Sequence, residues 1–490
     1  CVLTARSTLS SPSKHAQHSS RSSVAALSVM LSSGIRRLAV APRIVSVGSR
    51  GFTSSLVEPL ANVPPAAGAQ APANVQVSTV NGLRVATVGT QSPCGYVGAF
   101  VRAGSKNETP EDAGAAHWAR HLAFMSNPTS TMQQLAKNLE SLTGGMIGYH
   151  TPEFTAFSAP VLQSNVPEFM PILLNMLRPR CLEYEFNYRH TKVVLDAKDI
   201  EKKTASAQAV RSAAYRYAGI GQHVVCPSHR LTEVNSEQVY QHLSLYSPSR
   251  TAIVGVGIDH DYLVNSVSDA LATSTTIFSE MPTYRAIEEG KSTYVGGEAA
   301  VLGSSANTTV TVAYESSSIG GKDLLVNAVL QSALGSGDRY GLNTGRLGQN
   351  VVRAIDGITS ACVHSEQFET TGLLSVSATG KPGSSSEMAK VLVAQLQDLA
   401  AKPLSEEALV GARLSLKRNL LNLCPRETSF RLARRALLDI PTDLSLLQQI
   451  DSISAAQVQS AAAALLKSTP TVVTAGDVRG APTSAQVKSW

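Results

Sequence analysis

The chain contains several short stretches in which apolar and polar residues alternate, a period of two that is typical of half-buried β-strands. Val75–Thr79 and Leu83–Val88 show it on either side of Asn81-Gly82, a dipeptide that favours a tight hairpin turn. Three further stretches of the same character are predicted to form strands: Gly95–Ala103, Met146–His150 and Phe154–Val161. The pattern therefore predicts a sheet that begins with a hairpin near residue 75.

Other stretches have the helical period of about 3.6 residues. An apolar stripe of this period runs from Met132 to Leu142 through Leu135 and Leu139, and Gly144-Gly145 is expected to end it. Ser130 and Gln133 have the spacing of a capping box at its start. Three further segments are predicted to be helical: Ala113–Met125, Pro167–Leu177 and Glu183 to about Tyr217.

The two halves of the chain share weak sequence matches at one offset of 219 residues. Each half also has strands followed by helices and then a late apolar strand, at Thr251–Val256 and at Thr471–Ala475. This order predicts two tandem domains of similar fold, joined by a hinge near residues 281–298. The matched pairs are Phe157–Ala159 with Val376–Ala378, Glu168-Phe169 with Glu387-Met388, and Gln238-Val239 with Gln457-Val458.

The net charge of +6 comes from the N-terminal segment. Residues 1–57 hold seven of the 42 basic residues and no acidic one, which leaves 35 basic against 36 acidic residues in the rest. A folded body without a basic surplus argues against nucleic-acid binding. An Arg- and Ser-rich, acid-free segment is typical of a mitochondrial transit peptide. We expect translation to start at Met30, and residues 58–74, which are rich in Pro and Ala, to form a linker.

Two other features limit the class of protein. No apolar run of about 18 residues is present, so no transmembrane helix is predicted. The six cysteines are scattered and form no C-x-x-C pair, so reduced thiols are expected rather than a disulfide framework or a zinc knuckle.

Residues 117–121 read His-Trp-Ala-Arg-His and carry the most informative chemistry. His117 and His121 lie four residues apart on a predicted helix, so both imidazoles face one side, as two ligands of a zinc site would. The inverted zinc-protease motif H-x-x-E-H has its general base, a glutamate, immediately before the second histidine. Arg120 stands there instead, and a guanidinium can neither take up a proton nor attract a dication. The motif predicts a metallopeptidase without catalytic residues, metal or cofactor, whose histidines are polar core remnants.

The duplicated layout and the H-x-x-x-H helix resemble the pitrilysin-like metallopeptidases over about residues 75–480. The mitochondrial branch of that family is the most similar, with its processing-peptidase subunits and the two core proteins of the cytochrome bc1 complex. The resemblance implies an α+β fold of two homologous domains, each a mixed or antiparallel sheet packed with helices. The predicted boundaries are a transit peptide at 1–57, a linker at 58–74, a first domain at 75–280, a hinge at 281–298 and a second domain at 299–490.

The same resemblance places the family's third zinc ligand, a glutamate, 76 residues after His121, where this chain has Ala197. Asp196 and Asp199 are close by, but one residue along a helix turns a side chain by about 100°, so both are predicted to point away. A glycine-rich loop with Gly335, Gly337 and Gly341 has two interpretations, a flexible connector or a clamp for presequence peptides. It lacks the G-K-[ST] of a phosphate loop.

Several segments are similar to core protein 2, so the resemblance implies a non-catalytic structural subunit of the bc1 complex. Its implied partners are a core-1-like subunit, cytochrome b, cytochrome c1 and the Rieske subunit, on the matrix side of the mitochondrial inner membrane. The histidine pair is a departure from core protein 2. A core-1-like protein, or the substrate-binding subunit of the mitochondrial processing peptidase, therefore stays open, as does a protein with both roles. The similar segments are 213–216, 226–227, 294–298, 329–337 and 446–453.

Overall fold

A computed structural model of the protein describes residues 75–89, 94–180, 182–273, 292–303, 307–335, 346–422, 424–440 and 445–490. The predicted transit peptide, the linker up to residue 74 and much of the predicted hinge lie outside these ranges. None of the helices within the ranges is both long and apolar enough to span a membrane.

The first half contains a six-stranded sheet. Its strands are β1 (Val75–Val80), β2 (Leu83–Val88), β3 (Cys94–Val101), β4 (Ile147–His150), β5 (Thr155–Leu162) and β6 (Thr251–Val256). They lie in the order β1-β2-β6-β3-β5-β4. β2 pairs in parallel with β6, and the other neighbours are antiparallel. The predicted hairpin is confirmed, with Asn81 and Gly82 both at positive φ as a tight turn requires.

The second half contains a five-stranded sheet that repeats this topology. Its strands are β7 (Gly297–Leu302), β8 (Thr308–Ser316), β9 (Ser360–Gln367), β10 (Gly372–Gly380) and β11 (Thr471–Gly476). The order β7-β11-β8-β10-β9 matches β2-β6-β3-β5-β4 strand for strand. The parallel pair recurs as well, because β7 runs parallel to β11. The predicted α+β fold of two similar halves is therefore confirmed.

Helices cover the sheets in both halves. Those of the first half are α1 (Ala115–Leu122), α2 (Met132–Leu142), α3 (Val166–Met176), α4 (Glu183–Tyr215), α5 (Ser236–Leu243) and α6 (His260–Thr273). Those of the second half are α7 (Leu324–Leu334), α8 (Arg346–Ala354), α9 (Ser385–Ala401), α10 (Glu406–Leu421), α11 (Pro425–Leu438), α12 (Ser445–Ser452), α13 (Ala455–Lys467) and α14 (Ser484–Ser489).

The matched sequence pairs occupy equivalent places in the two halves. Phe169 on α3 and Met388 on α9 are both fully buried in their cores. The start of α5 is a capping box between Asn235 and Gln238, and the start of α13 is another between Ser454 and Gln457. Both boxes satisfy backbone N–H groups that a helix N-terminus leaves unpaired. The common offset thus reflects a structural duplication.

Each half contributes a helix to the sheet of the other half. Leu432, Ala433 and Leu437 on α11 pack against the face of the first sheet that carries Tyr96 and Phe100. The C-terminal end of α4 packs in turn against the second sheet, through Val210, Ala214 and Tyr215. Both faces of the central strands are therefore covered, which explains why these strands are apolar almost throughout.

An ionic cluster joins the two halves at the edge of these contacts. Glu153 is buried and accepts hydrogen bonds from Lys106 Nζ at 3.4 Å, Arg434 Nη2 at 3.3 Å and the backbone N–H of Glu369 at 2.8 Å. Glu369 itself pairs with Lys106 at 2.9 Å and with Arg102. Three cations and two carboxylates thus fix the loop before β5 against residues of the second half.

The start of α2 differs by one residue from the prediction. Thr131, not Ser130, is the N-cap, and it forms a capping box with Gln134 rather than Gln133. Ser130 belongs to the preceding turn, because its N–H donates to Asn127 Oδ1 at 2.7 Å. The local turn therefore decides which hydroxyl caps the helix.

Candidate functional site

Helix α1 carries the histidine pair and is held at its N-terminus by two buried residues. Glu108 accepts hydrogen bonds from the N–H groups of Gly114 at 2.9 Å and Ala116 at 2.7 Å, which satisfies donors that the helix leaves unpaired. Gly114 has φ +96°, and a Cβ there would lie 2.4 Å from Cys226 Sγ. Only glycine fits this position, so the start of α1 is fixed against the segment around Cys226.

The middle of α1 packs against α4. The indole of Trp118 is fully buried and stacks on the ring of Phe186 with centroids 3.9 Å apart. Val193 and Ala197 of α4 belong to the same core. This packing holds α1 against α4. It also sets the distance between the polar side chains of α1 and those of α4.

Asp196 of α4 faces both histidines of α1. Its Oδ2 lies 3.1 Å from Nε2 of His117 and 3.1 Å from Nε2 of His121, and the three atoms lie within 4.8 Å of one another. The prediction that Asp196 points away is wrong. Where two helices cross, adjacent residues can both border the partner helix, so Ala197 packs into the core while Asp196 reaches the imidazoles. Asp199, by contrast, is exposed and pairs with Lys203 at 2.6 Å.

Arg120 lies inside this cluster. Its Nη2 donates to Asp196 Oδ2 and lies 2.8 Å from His121 Nε2, while its Nη1 donates to the backbone carbonyl of Gly148 on β4 at 3.3 Å. The side chain is only 11% exposed. The guanidinium therefore touches α1, α4 and β4 at once.

The proton on His117 can be placed from its neighbours. The backbone N–H of Cys226 donates to His117 Nδ1 at 3.4 Å, so the lone pair is on Nδ1 and the proton is on Nε2. His117 Nε2 therefore donates to Asp196. A third imidazole, His150, stacks on His117 with centroids 5.4 Å apart and donates through Nε2 to the carbonyl of Val224. The imidazoles thus form a neutral layer beside the Arg120–Asp196 pair.

Burial and charge set the protonation of the cluster. Burial lowers the pKa of His117 to about 4, although the Asp196 carboxylate acts in the opposite direction. Burial also lowers the pKa of His121 and, more strongly, that of His150. Burial alone would raise the pKa of Asp196, but the hydrogen bond from His117, the contact with His121 and the charge of Arg120 hold it far below its usual value. One cation and one anion therefore remain at neutral pH.

These residues do not fit the catalytic zinc of H-x-x-E-H peptidases. The spacing of the ligand atoms would suit a tetrahedral ion, whose ligands lie about 3.3 Å apart for bonds of about 2.0–2.1 Å. Zinc needs a lone pair on the ligating nitrogen, however, and His117 has its proton on Nε2. A buried guanidinium beside the same atoms would repel the dication. Position 120 also lacks the carboxylate that would act as the general base.

Restoring the missing base should not restore chemistry. We expect Arg120→Glu in the isolated chain to give no cleavage of a presequence peptide, because His117 Nε2 still carries a proton and cannot complete a set of three ligands with His121 and Asp196. The variant also puts a second carboxylate next to Asp196. A peptide-cleavage assay with added zinc measures this, and turnover by the single variant would show that the site is assigned wrongly.

The buried imidazoles predict a loss of stability in acid. His117 has its pKa lowered from 6.5 to about 4, so the unfolded chain binds more protons between these values. The free energy of unfolding is not reduced by His117 above about pH 6.5, where the imidazole is neutral in both states. As the pH falls below this value the free energy of unfolding decreases, by about 2 kcal/mol between pH 7 and pH 5. Urea unfolding at both pH values measures this. His117→Gln should abolish this loss of stability between pH 7 and pH 5, and His229→Gln, at an exposed position, should not.

The predicted glycine-rich loop is described in part. Gly335 ends α7 with φ +109°, a conformation that favours glycine. Gly337 and Gly341 lie outside the described residues. The choice between a peptide clamp and a connector therefore stays a prediction.

Sequence reasoning missed Asp196 and His150 as members of the site. The need of a buried guanidinium for a counter-ion could have indicated Asp196, the acid nearest to the expected ligand position. His150 is part of a strand pattern that gives no sign of its neighbour across the sheet. The Cys226 N–H, which fixes the His117 tautomer, has no sequence signal at all.

The chain is similar to known proteins over most of its length. The family model "Insulinase (Peptidase family M16)" matches residues 84–228, and the model "Peptidase M16 inactive domain" matches residues 235–416. A probable mitochondrial-processing peptidase subunit alpha-1 of Arabidopsis thaliana is 24% identical over 465 residues, which is 91% of each chain.

Two further relatives widen this comparison. The mitochondrial-processing peptidase subunit alpha of Homo sapiens is 26% identical over 440 residues, 84% of this chain and 83% of the relative. Cytochrome b-c1 complex subunit 2 of Mus musculus is 22% identical over 413 residues, 82% of this chain and 89% of the relative.

Proposed function

Because the chain belongs to the M16, or pitrilysin-like, peptidase family, we propose that it is the non-catalytic, substrate-binding subunit of a mitochondrial processing peptidase. It is a non-catalytic homologue of the peptidase, with Arg120 where the base would be and with residues 235–416 matching an inactive domain. The zinc-bearing activity would then come from a second M16 chain. Both chains would work inside mitochondria, where the relatives are named to act.

The observation that carries this proposal is a disabled site in an otherwise complete fold. Both sheets, their helices and the α1–α4 crossing are retained, while the position of the base is a guanidinium with its own counter-ion. A chain of this kind keeps a surface for peptides and a partner but needs another chain for hydrolysis. Relatives named as alpha subunits of the processing peptidase cover 91% and 84% of the chain, which supports this role.

Reconstitution tests the proposal directly. The chain, a zinc-bearing M16 subunit from the same organism, and an equimolar mixture are each incubated with a fluorescent presequence peptide. We expect rapid cleavage by the mixture alone, and no loss of that cleavage when this chain carries Arg120→Gln. Equal cleavage by the zinc-bearing subunit without this chain would contradict the proposal.

The glycine-rich loop is the proposed peptide contact. Gly335, Gly337 and Gly341 would let the backbone approach an extended peptide closely. Replacing residues 336–341 by a serine linker of equal length should raise the KM of the mixture and leave formation of the heterodimer intact. An unchanged KM would make the loop a connector.

A structural subunit of the bc1 complex is the second candidate, and similarity to the mouse bc1 subunit 2 supports it. That role needs buried interface rather than a peptide site, and an inactive fold without a membrane-spanning helix in its described part is compatible with both. Partners would then be a core-1-like subunit, cytochrome b, cytochrome c1 and the Rieske subunit. Association with cytochrome b separates this candidate from the first.

A further inference from the structure

We infer that the Arg120 guanidinium is the resident cation of the α1–α4 crossing and holds the two helices and β4 together without a metal ion. The zinc that the family implies does not fit these residues, and the same atoms are already bonded to a cation of the protein's own. The inference does not depend on which mitochondrial complex contains the chain.

The first support is the convergence of bonds on Asp196. Its Oδ2 accepts hydrogen bonds from His117 Nε2 at 3.1 Å and from Arg120 Nη2. His121 Nε2 also lies 3.1 Å from this oxygen. Arg120 also reaches Gly148 O at 3.3 Å, so one side chain links two helices and a strand. A metal ion with three protein ligands would link the same two helices, which makes the guanidinium an equivalent cross-link.

The second support is the balance of charge. The imidazoles are neutral, so Arg120, which is 11% exposed, and Asp196, which is 31% exposed, form one cation and one anion. Removing either member of such a half-buried pair leaves the other charge partly desolvated and without its partner. A dication added to it would leave an excess positive charge in a site where Arg189, on α4, already lacks any ion pair among the described residues.

The third support is the position of the protons. The Cys226 N–H directs the lone pair of His117 to Nδ1 and its proton to Nε2, toward Asp196. Metal-ligating histidines have the opposite arrangement, with the free ring N–H donated to a carbonyl or carboxylate. The surroundings of His117 are therefore built for donation to a carboxylate.

Chemical rescue tests the inference. Arg120→Ala should lower the thermal midpoint by several degrees, and millimolar methylguanidinium should restore much of that loss by filling the vacated space. The wild type and the Arg120→Ala/Asp196→Asn double variant should show no such rise. Arg189→Ala is the matched control, since it removes a half-buried arginine of α4 that has no carboxylate partner among the described residues.

Zinc provides the opposing arm of the same experiment. The wild type should contain less than about a tenth of an equivalent of zinc by mass spectrometry, and EDTA should leave its thermal midpoint unchanged. Stoichiometric zinc in the wild type, or rescue of Arg120→Ala by zinc but not by methylguanidinium, would overturn the inference. Should Arg120→Ala fail to fold, the wild-type zinc measurement decides: stoichiometric zinc overturns the inference, and a zinc-free wild type whose thermal midpoint EDTA leaves unchanged supports it.

Discussion

Replacing Glu153 by alanine should lower the free energy of unfolding by about 3–5 kcal/mol, the usual cost of removing one member of a buried ion pair. Its carboxylate is 4% exposed and accepts from Lys106 at 3.4 Å, from Arg434 at 3.3 Å and from the Glu369 N–H at 2.8 Å. Without it, Lys106 keeps Glu369 at 2.9 Å, but Arg434 loses its carboxylate while packed over Phe154 and Phe430. Urea unfolding followed by circular dichroism measures the change.

A surface carboxylate serves as the control for Glu153. Glu233 pairs with Arg230 at 3.0 Å but is 59% exposed, so Glu233→Ala should cost less than about 1 kcal/mol. Because α11 and the end of α4 still join the two halves, the Glu153 variant should unfold in one transition at a lower urea concentration. A loss below about 1 kcal/mol would mean that the ionic cluster contributes little to the junction.

Trp118→Ala should also lower the free energy of unfolding by about 3–5 kcal/mol, because it leaves a large cavity between α1 and α4. The indole is fully buried and stacks on Phe186 at 3.9 Å with an interplanar angle of 6°. The cavity removes the main apolar contact that sets the distance between His117 and Asp196. We therefore expect the variant to lose the acid sensitivity that the buried imidazoles produce.

The second tryptophan of the chain is the matched control. Trp490 is 38% exposed, and its ring lies 5.5 Å from Lys390 Nζ. Trp490→Ala should cost less than about 1 kcal/mol, the size of an exposed cation–π contact. Similar losses at both positions would contradict the assignment of α1 to the core.

Sequence pattern was sufficient for most strands and helices of the first half and for the duplication. Asn81-Gly82 specifies its hairpin through local backbone preference alone, and α5 and α13 begin at capping boxes with the same spacing. Such features depend on neighbouring residues, so they can be read along the chain. The predicted start of α2 is wrong by one residue, because Ser130, the predicted cap, belongs to a turn at Asn127.

The site and the junction depended on contacts that the pattern does not encode. The apolar face of α11 requires a partner, but its spacing does not say that the partner is the sheet of the other half. The direction of Asp196 follows from the angle at which α4 crosses α1, not from its distance to Ala197 in the sequence. The Cys226 N–H fixes the His117 proton on Nε2, and a nitrogen that carries a proton cannot bind a metal ion. The cation of the site is therefore Arg120, a conclusion that the sequence pattern does not give.

We propose that this chain is a non-catalytic partner of a zinc-bearing M16 subunit in a processing peptidase. Native electrophoresis of detergent-solubilised mitochondria, probed for this chain, for that subunit and for cytochrome b, tests it most directly. We expect the chain to co-migrate with the zinc-bearing subunit in a small complex without cytochrome b. Migration of the whole population with cytochrome b, and none with the zinc-bearing subunit, would contradict it and identify a structural subunit of the bc1 complex.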